Sequence, residues 1–386
     1  MMRHAFATRA FLILAFIAVV SVEASSSAAE ASQAPTPPAI QFGTAEPLSD
    51  FNVRFQRTDG WIGGDGDYSV SLGSGKTLWL YSDTWVGKVR DGKRTDATIV
   101  NNTVALQQGG LSDAKMMFFI QRDESGKPKA LIEPADGNGF YWLQDGLFAD
   151  GRLYLFLTQI EKTSDTSAWG FRQIGQWVGV VANPLDPPTE WKIEQHKLPF
   201  TVFNDERELT FGTALLREED TLYVFGREDQ RSPRRPLSRH LNLARVPVAA
   251  VTDFSRWRFF HDGEWVAEAN GASHLADNLA CEASVVVLPK FRQYVLVYTD
   301  QGMSPEVVAR TSPKPWGPWS EATTIYHAPD SDRDHEVFCY AGKAHPSLAA
   351  DDELVISYCT NANSLWHVAS DPKIYVPQFV RVSIQE

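Results

Sequence analysis

The sequence predicts an all-β chain folded as a five-bladed β-propeller, with four-stranded antiparallel blades around a central funnel. Three observations predict it. A short apolar strand recurs along the chain: Leu78-Trp79-Leu80-Tyr81, Leu153-Tyr154-Leu155-Phe156, Leu222-Tyr223-Val224-Phe225, Tyr294-Val295-Leu296-Val297-Tyr298 and Leu354-Val355-Ile356-Ser357-Tyr358. The copies fall about seventy residues apart, enough for four short strands and their loops, which is one blade. Each copy also follows an alternating segment and a glycine-rich or acidic turn, the mark of a hairpin.

Taken in order, the first strands of these hairpins are read at residues 67–72, 140–147, 209–216, 282–288 and 344–349. Turns such as Gly73-Ser74-Gly75 and Ala350-Asp351-Asp352 divide them from the apolar copies. Further strand-like runs at 115–121, 177–181, 243–248, 307–310 and 379–384 fill the remaining blade positions. The last of these is placed to pair back into an early blade and close the ring. Helical periodicity is nearly absent, and the long spacing disfavours a β-helix.

Composition narrows the function classes. The chain has 386 residues, 43% of them hydrophobic, which supplies a large core. A net charge of −12 argues against nucleic acid or an anionic membrane as partner. Twelve Trp and 22 Phe are a heavy aromatic load. Most belong in the core; those on a concave surface would suit the apolar faces of sugar rings.

The first residues read as an export signal. Arg3, His4 and Arg9 precede the apolar run 10–22, and Ala29-Glu30-Ala31 offers a cleavage site. This gives a signal peptide at 1–29, a periplasmic or extracellular destination and no stable membrane span after cleavage. Residues 30–44 read as a disordered Ala/Ser/Pro leader, and 45–386 as a single propeller domain. Export permits a disulfide: Cys339–Cys359 would share the last blade and leave Cys281 over, the alternative being three buried thiols.

In a propeller the innermost strands line the axial channel, so chemistry is sought where the first strands begin. Those words are Asp65-Gly66-Asp67-Tyr68, Trp142-Leu143-Gln144-Asp145, Leu209-Thr210, Cys281-Glu282 and Lys343-Ala344-His345. The candidate catalytic residues are Asp65, Asp67, Asp145 and Glu282; the candidate substrate-binding residues are His345, Trp142, Tyr68 and Thr210. Asp65 and Asp67 lie two apart, and in a strand they would share a face. Carboxylates so crowded repel, and one pKa rises. Cleaving a glycosidic bond needs a carboxyl that protonates the leaving oxygen and another that activates water or attacks the sugar.

Each candidate also has a structural reading. Asp65 could cap a turn, Asp67 a strand start and Asp145 the turn before Gly146. His345 could be a satisfied core histidine. Glu282 precedes a very apolar strand, where a carboxylate is costly unless paired or used. Asp83, ending a strand, reads as structural.

No spacing fits zinc, and no cofactor is called for, a central Ca²⁺ being the one ion considered. The alternating acids of 330–336 resemble a calcium loop but lack its glycine and distal glutamate. Arg231, Arg234, Arg235 and Arg239 form a basic loop that suits an anionic sugar or lipid headgroup, or else is an exposed connection. No phosphate-binding loop, dinucleotide fingerprint or nucleophile elbow is present.

The run Gly64-Asp65-Gly66-Asp67-Tyr68-Ser69 with Leu78-Trp79-Leu80-Tyr81-Ser82-Asp83-Thr84 resembles the first blade of exported five-bladed propellers related to arabinanase, invertase and levansucrase glycosidases. Pro315-Trp316-Gly317-Pro318-Trp319 is similar to their Gly-Pro-Trp turn, and Lys343-Ala344-His345-Pro346 to their last blade. The resemblance implies a poly- or oligosaccharide substrate and three acids in a funnel. Asp65 or Asp67 matches the base or nucleophile, Glu282 the general acid and Asp145 the supporting aspartate, with His345 facing the funnel. The rivals are a non-catalytic propeller that binds a glycan or protein, and a metal-assisted lyase or phosphodiesterase.

Overall fold

Alternation sets the strands. In Tyr68–Gly73, Tyr68, Val70 and Leu72 are buried while Ser71 and Gly73 face out, the period-two pattern of a strand with one wet face. Its partner Lys76–Tyr81 is buried from Thr77 onward, as a continuous apolar run covered on both faces should be. The computed structural model describes residues 40–165, 169–232 and 235–385.

Among the described residues, five antiparallel sheets of four or more strands follow one another. The first joins Tyr68–Gly73, Lys76–Tyr81, Thr103–Gln108 and Lys115–Phe119. The second joins Phe140–Ala149, Arg152–Lys162, Phe171–Val181 and Ile193–Lys197. The third has six strands, built around Arg207–Glu218, Thr221–Ser232 and Arg235–Pro247. The fourth joins Ala283–Leu288, Gln293–Thr299, Glu306–Ser312 and Thr323–His327. The fifth runs Val337–Ala344, Glu353–Ala362, Gln378–Gln385 and then Gln41–Pro47.

Each sheet packs on the next through its own apolar layer. Leu78 and Val104 of the first meet Leu143 and Leu155 of the second. Phe156 and Val178 of the second meet Phe211 and Val224 of the third. Phe225 and Leu243 meet Val285 and Leu296; Val297 and Ala309 meet Ile356 and Val380. The fifth sheet returns to the first, where Val355 and Phe379 pack on Trp79 and Tyr81. The all-β ring is a β-propeller arrangement, with the core lying between sheets.

Both chain ends of the domain join in the fifth sheet. Gln41 pairs with Gln385 and Pro47 with Val380. Just beyond, Asn52 clasps one peptide: its Oδ1 accepts from Phe379 N at 2.8 Å and its Nδ2 donates to Phe379 O at 3.3 Å. The expected run at 379–384 therefore does close the ring, but the early strand comes to it. Residues 41–44 belong to that strand rather than to a disordered leader. The open edge of Gln378–Gln385 offers backbone partners that outweigh the poor apolar content of the segment. The expected signal peptide at 1–29 and residues 30–39 lie outside the described residues.

Three further readings change. The fifth sheet begins with Val337–Ala344, and residues 346–348 form a single 3₁₀ turn instead of a strand; Pro346 has no N–H to donate to a ladder. A three-stranded sheet of Asp59–Gly64, Thr84–Arg90 and Lys93–Val100 is inserted into the first repeat. Its outer strands carried little apolar signal: half of Asp59–Gly64 is glycine, and Lys93–Val100 opens on Lys93-Arg94-Thr95-Asp96. The cysteines are free. Antiparallel register sets Cys339 opposite Thr360 and Tyr340 opposite Cys359. Cys339 and Cys359 therefore project from opposite faces of the sheet and cannot be bridged.

Two outcomes are expected. A chain beginning at Leu48 exposes the edge of Gln378–Gln385; circular dichroism should show a melting point several degrees lower, with aggregation on heating. A thiol titration of the unfolded, unreduced protein should count all three cysteines, whereas a count of one would establish a bridge.

Candidate active site

The site begins in the first sheet. Main-chain bonds from Asp65 N to Asp83 O (3.2 Å) and from Ser82 N to Asp65 O (2.8 Å) set the two aspartates side by side. Residues 65–67 are not strand. Gly66 at φ +85° and Asp67 at φ +39° turn the chain through the left-handed region. A Cβ on Gly66 would meet Ser82 N at 3.1 Å, so glycine is required there on two counts. The turn sends Asp65 and Asp67 in different directions, against the expectation of a shared face.

Asp65 faces a cavity of about 1280 Å³. Its Oδ2 accepts from the hydroxyls of Tyr340 and Tyr375, each at 2.8 Å, while Oδ1 is buried without a hydrogen-bond partner. Burial, with the neighbouring charges of Asp83 and Glu282, pushes its carboxyl well above the usual range. Asp83 lines the same cavity. Its Oδ1 accepts from Asn101 Nδ2 and Trp142 Nε1, both at 3.0 Å. Burial raises it, and those two donors oppose the rise. Glu282, just before the strand Ala283–Leu288, lines the cavity as well. Burial lifts its carboxyl against the pull of Lys343, whose Nζ lies 3.5 Å from Oε1.

Behind this wall is a buried ammonium. Lys343 Nζ donates to Gly66 O and Ala341 O at 2.6 Å each and lies 3.3 Å from Asp67 Oδ1. Burial opposes its charge, but Asp67 and Glu282 outweigh burial and keep the ammonium protonated.

Much of the remaining lining comes from overlong strands. The second and third sheets contain strands of 11–13 residues, against six in Ala283–Leu288. Their far ends carry Phe171 and Lys162 from the second sheet, and Glu208, Arg227, Asp229, Arg231 and Arg239 from the third. Trp142 stands edge-on to Phe171, with ring centroids 4.8 Å apart.

Of the residues the sequence singled out, Asp65, Glu282, Trp142 and Thr210 line the cavity. Asp67, Asp145, Tyr68 and His345 do not. Asp67 is fully buried and bonded to Ser357, Lys343 and Cys359. Asp145 accepts from Gly146 N and Leu215 N, both at 2.8 Å, and burial lifts it to about 7. Tyr68 donates to Thr213 O at 2.9 Å. His345 lies between Ser69 Oγ and Ser357 Oγ at 2.8 Å each and packs on Trp79. Burial and then Lys343 hold its imidazole well below the ordinary value. It is a satisfied core histidine, as its structural reading had it. Asp83, read as structural, is in the cavity. The tyrosines and Lys343 were missed; the one hint was a lysine inside the run Ala341-Gly342-Lys343-Ala344, where a buried charge demands partners.

Among the described residues, one grouping could offer three metal-ligand atoms: Asp334 and Glu336 of the acid run 330–336 with His367, all outside the cavity lining. Each nitrogen of His367 already faces one of these carboxylates at 3.1 Å. Among the described residues, no helix is long and apolar enough to cross a membrane.

Fold and site together define a β-propeller with buried acids converging on one cavity. The chain belongs to the DUF5005 family, described as a domain of unknown function, whose profile matches residues 49–384. A crystal structure from Bacteroides ovatus ATCC 8483, of a protein provisionally described as a hydrolase, matches with a TM-score of 0.69 at 20% identity. It covers 91% of this chain and 97% of that one, and it shows a shared fold. Two looser likenesses bear no argument. A thermostable family-43 glycoside hydrolase has 12% identity and a TM-score of 0.45, over 84% of this chain and 90% of that one. The GH43_1 enzyme from Xanthomonas citri complexed with xylotriose has 11% identity and a TM-score of 0.45, over 88% and 92%. No curated protein matches this chain.

Asp65, Asp83, Asp145 and Glu282 all hold their protons more tightly folded than unfolded. Their contribution to stability is complete below the ordinary value of 3.8 for an aspartate and is lost as pH rises, for Asp145 through about 7. Melting points measured across that window should fall with rising pH, and Asp145→Asn should flatten part of the fall. Gly66→Ala should lower the melting point and displace Asp65 from its tyrosines.

Proposed function

We propose that this protein is an exported carbohydrate-active propeller of five blades, the four main strands of each sheet forming a blade, and that it hydrolyses glycosidic bonds in its cavity. One observation carries the reading: Asp65, Asp83 and Glu282 converge on one cavity, each raised by burial. A carboxyl raised in this way keeps its proton to higher pH than a free one and can deliver it to a leaving oxygen. The ring of five sheets, closed by the apolar layer between fifth and first, supports the blade count. The N-terminal run of residues 1–29 supports export.

Asp65 is the base or nucleophile. Its two phenol donors favour the ionised carboxylate against the rise that burial imposes, and its Oδ1 has no hydrogen-bond partner in the protein. Glu282 is the general acid. Lys343 beside it is already matched by Asp67, so its charge acts on Glu282 only in part, and the carboxyl remains raised. Asp83 takes the supporting place that the sequence assigned to Asp145, accepting from Trp142 Nε1 and so fixing that ring at the cavity. Trp142 and Phe171 supply an apolar surface for a sugar ring.

Release of reducing ends from a panel of oligosaccharides tests the activity. Asp65→Asn and Glu282→Gln should each lower turnover by about 10²–10⁴-fold. Activated aryl glycosides separate the roles. Their leaving groups need no proton, so Glu282→Gln should recover most of its loss on them and Asp65→Asn should not. Full turnover in both variants sinks the assignment. Glycan binding with no turnover in the unaltered protein would instead make it a binding propeller.

A further inference from the structure

The third sheet brings three arginines to the cavity wall. Arg227 is almost fully buried and sits between two acids: its Nε lies 2.6 Å from Asp229 Oδ1, off the hydrogen-bond direction, and its Nη2 lies 3.4 Å from Glu208 Oε2. Arg231 Nη2 reaches Glu208 Oε1 at 2.9 Å, and Arg239 Nε reaches Asp229 Oδ2 at 3.3 Å. Three guanidinium groups thus share two carboxylates. Arg231 and Arg239 keep 39% and 21% of their side-chain surface exposed, and both line the cavity.

This arrangement is a poor way to gain stability. Ions taken out of water lose hydration that their pairing barely restores. The chain carries a net charge of −12, yet it gathers three arginines at one place on the cavity wall. Room is kept for them: at Gly302, φ +89°, a Cβ would meet Arg239 Nη1 at 2.6 Å. A planar guanidinium pairs with a carboxylate or sulfate through two parallel N–H groups, which a lysine cannot match. Asp65, Asp83 and Glu282 share the same lining and would repel an anionic group placed against them, so the arginines are the part of the lining suited to one.

We propose that this wall is an anion subsite: the cavity takes an oligosaccharide bearing a carboxylate or sulfate, which Arg231 and Arg239 hold while Arg227 fixes their acidic partners. The proposal rests on the carbohydrate reading above and adds the substrate's charge to it. Arg234 of the same basic loop lies outside the described residues.

The test is calorimetric titration of the full chain carrying Glu282→Gln, so that ligand is not consumed. The probes are oligomers of galacturonate, mannuronate and guluronate, the same oligomers after reduction of each carboxyl to the alcohol, and sulfated galactan oligosaccharides with their desulfated forms. At low salt, at least one charged probe should bind about tenfold or more tightly than its uncharged counterpart. Adding Arg231→Gln or Arg239→Gln should bring that ratio close to one, and salt should do the same in the parent. Arg231→Lys should restore part of the ratio, because it keeps the charge and loses the fork; it also serves if the glutamine variant fails to fold. Preference among uronate or sulfated probes names the group. Uncharged probes binding as tightly as charged ones, or a ratio that survives both glutamine substitutions, overturns the subsite and leaves the carbohydrate reading standing. Binding of no probe at all removes the subsite, and the reducing-end panel then decides the carbohydrate reading separately.

Discussion

The buried ammonium of Lys343 organises the centre of this protein. It extends from the fifth sheet, bonds the carbonyl of Gly66 and the carboxylate of Asp67 at the edge of the first, and lies beside Glu282 at the start of the fourth. Three sheets meet on one charge. A lysine only 1% exposed is tolerable only where anions and carbonyls replace its water. That requirement fixes the left-handed turn at Gly66 and Asp67, and the turn in turn aims Asp65 at its two tyrosines. Asp67 is thus used up as a counter-ion, which leaves Asp65 as the aspartate of this turn that faces the cavity.

A second constraint explains why acids occur near the axis without touching the cavity. The innermost strands of the second, third and fifth sheets each shift register near the middle, at Leu143/Gly146, Phe211/Ala214 and Tyr340/Lys343. A bulge leaves backbone groups without ladder partners. Side chains of neighbouring sheets supply them: Asp145 to Leu215 N, Gln176 to Phe211 N, Thr299 to Gly342 N and Ser284 to Ala344 N. Asp145 is accounted for in this way. Polar stitching of one sheet to the next also complements the apolar layers between them, which have no directional preference.

The repeat was legible because every blade needs the same buried strand, so Leu78–Tyr81 and its copies had to recur. Glu282 was legible because a carboxylate beside a very apolar strand demands a reason, and Asp65 because it stands where the first hairpin begins. Asp83 was not, since a strand-end aspartate looks the same whether it caps a turn or faces a cavity. Tyr340 and Tyr375 were illegible for a different reason: they reach Asp65 from about 275 and 310 residues away along the chain. The alternating acids of 330–336 had suggested a loop, and the structure shows them engaged with histidines, Asp332 with His327 and both Asp334 and Glu336 with His367.

Local pattern by itself determined the recurring apolar strands and the turns that precede them, because side-chain alternation and turn chemistry act between near neighbours. It also placed two acids in the site. Tertiary structure alone decided which carboxylates face solvent in the cavity and which are spent on Lys343 or on a bulge. That choice depends on sheets far apart in sequence meeting around one axis, and on left-handed backbone at two residues that reverses where a side chain points.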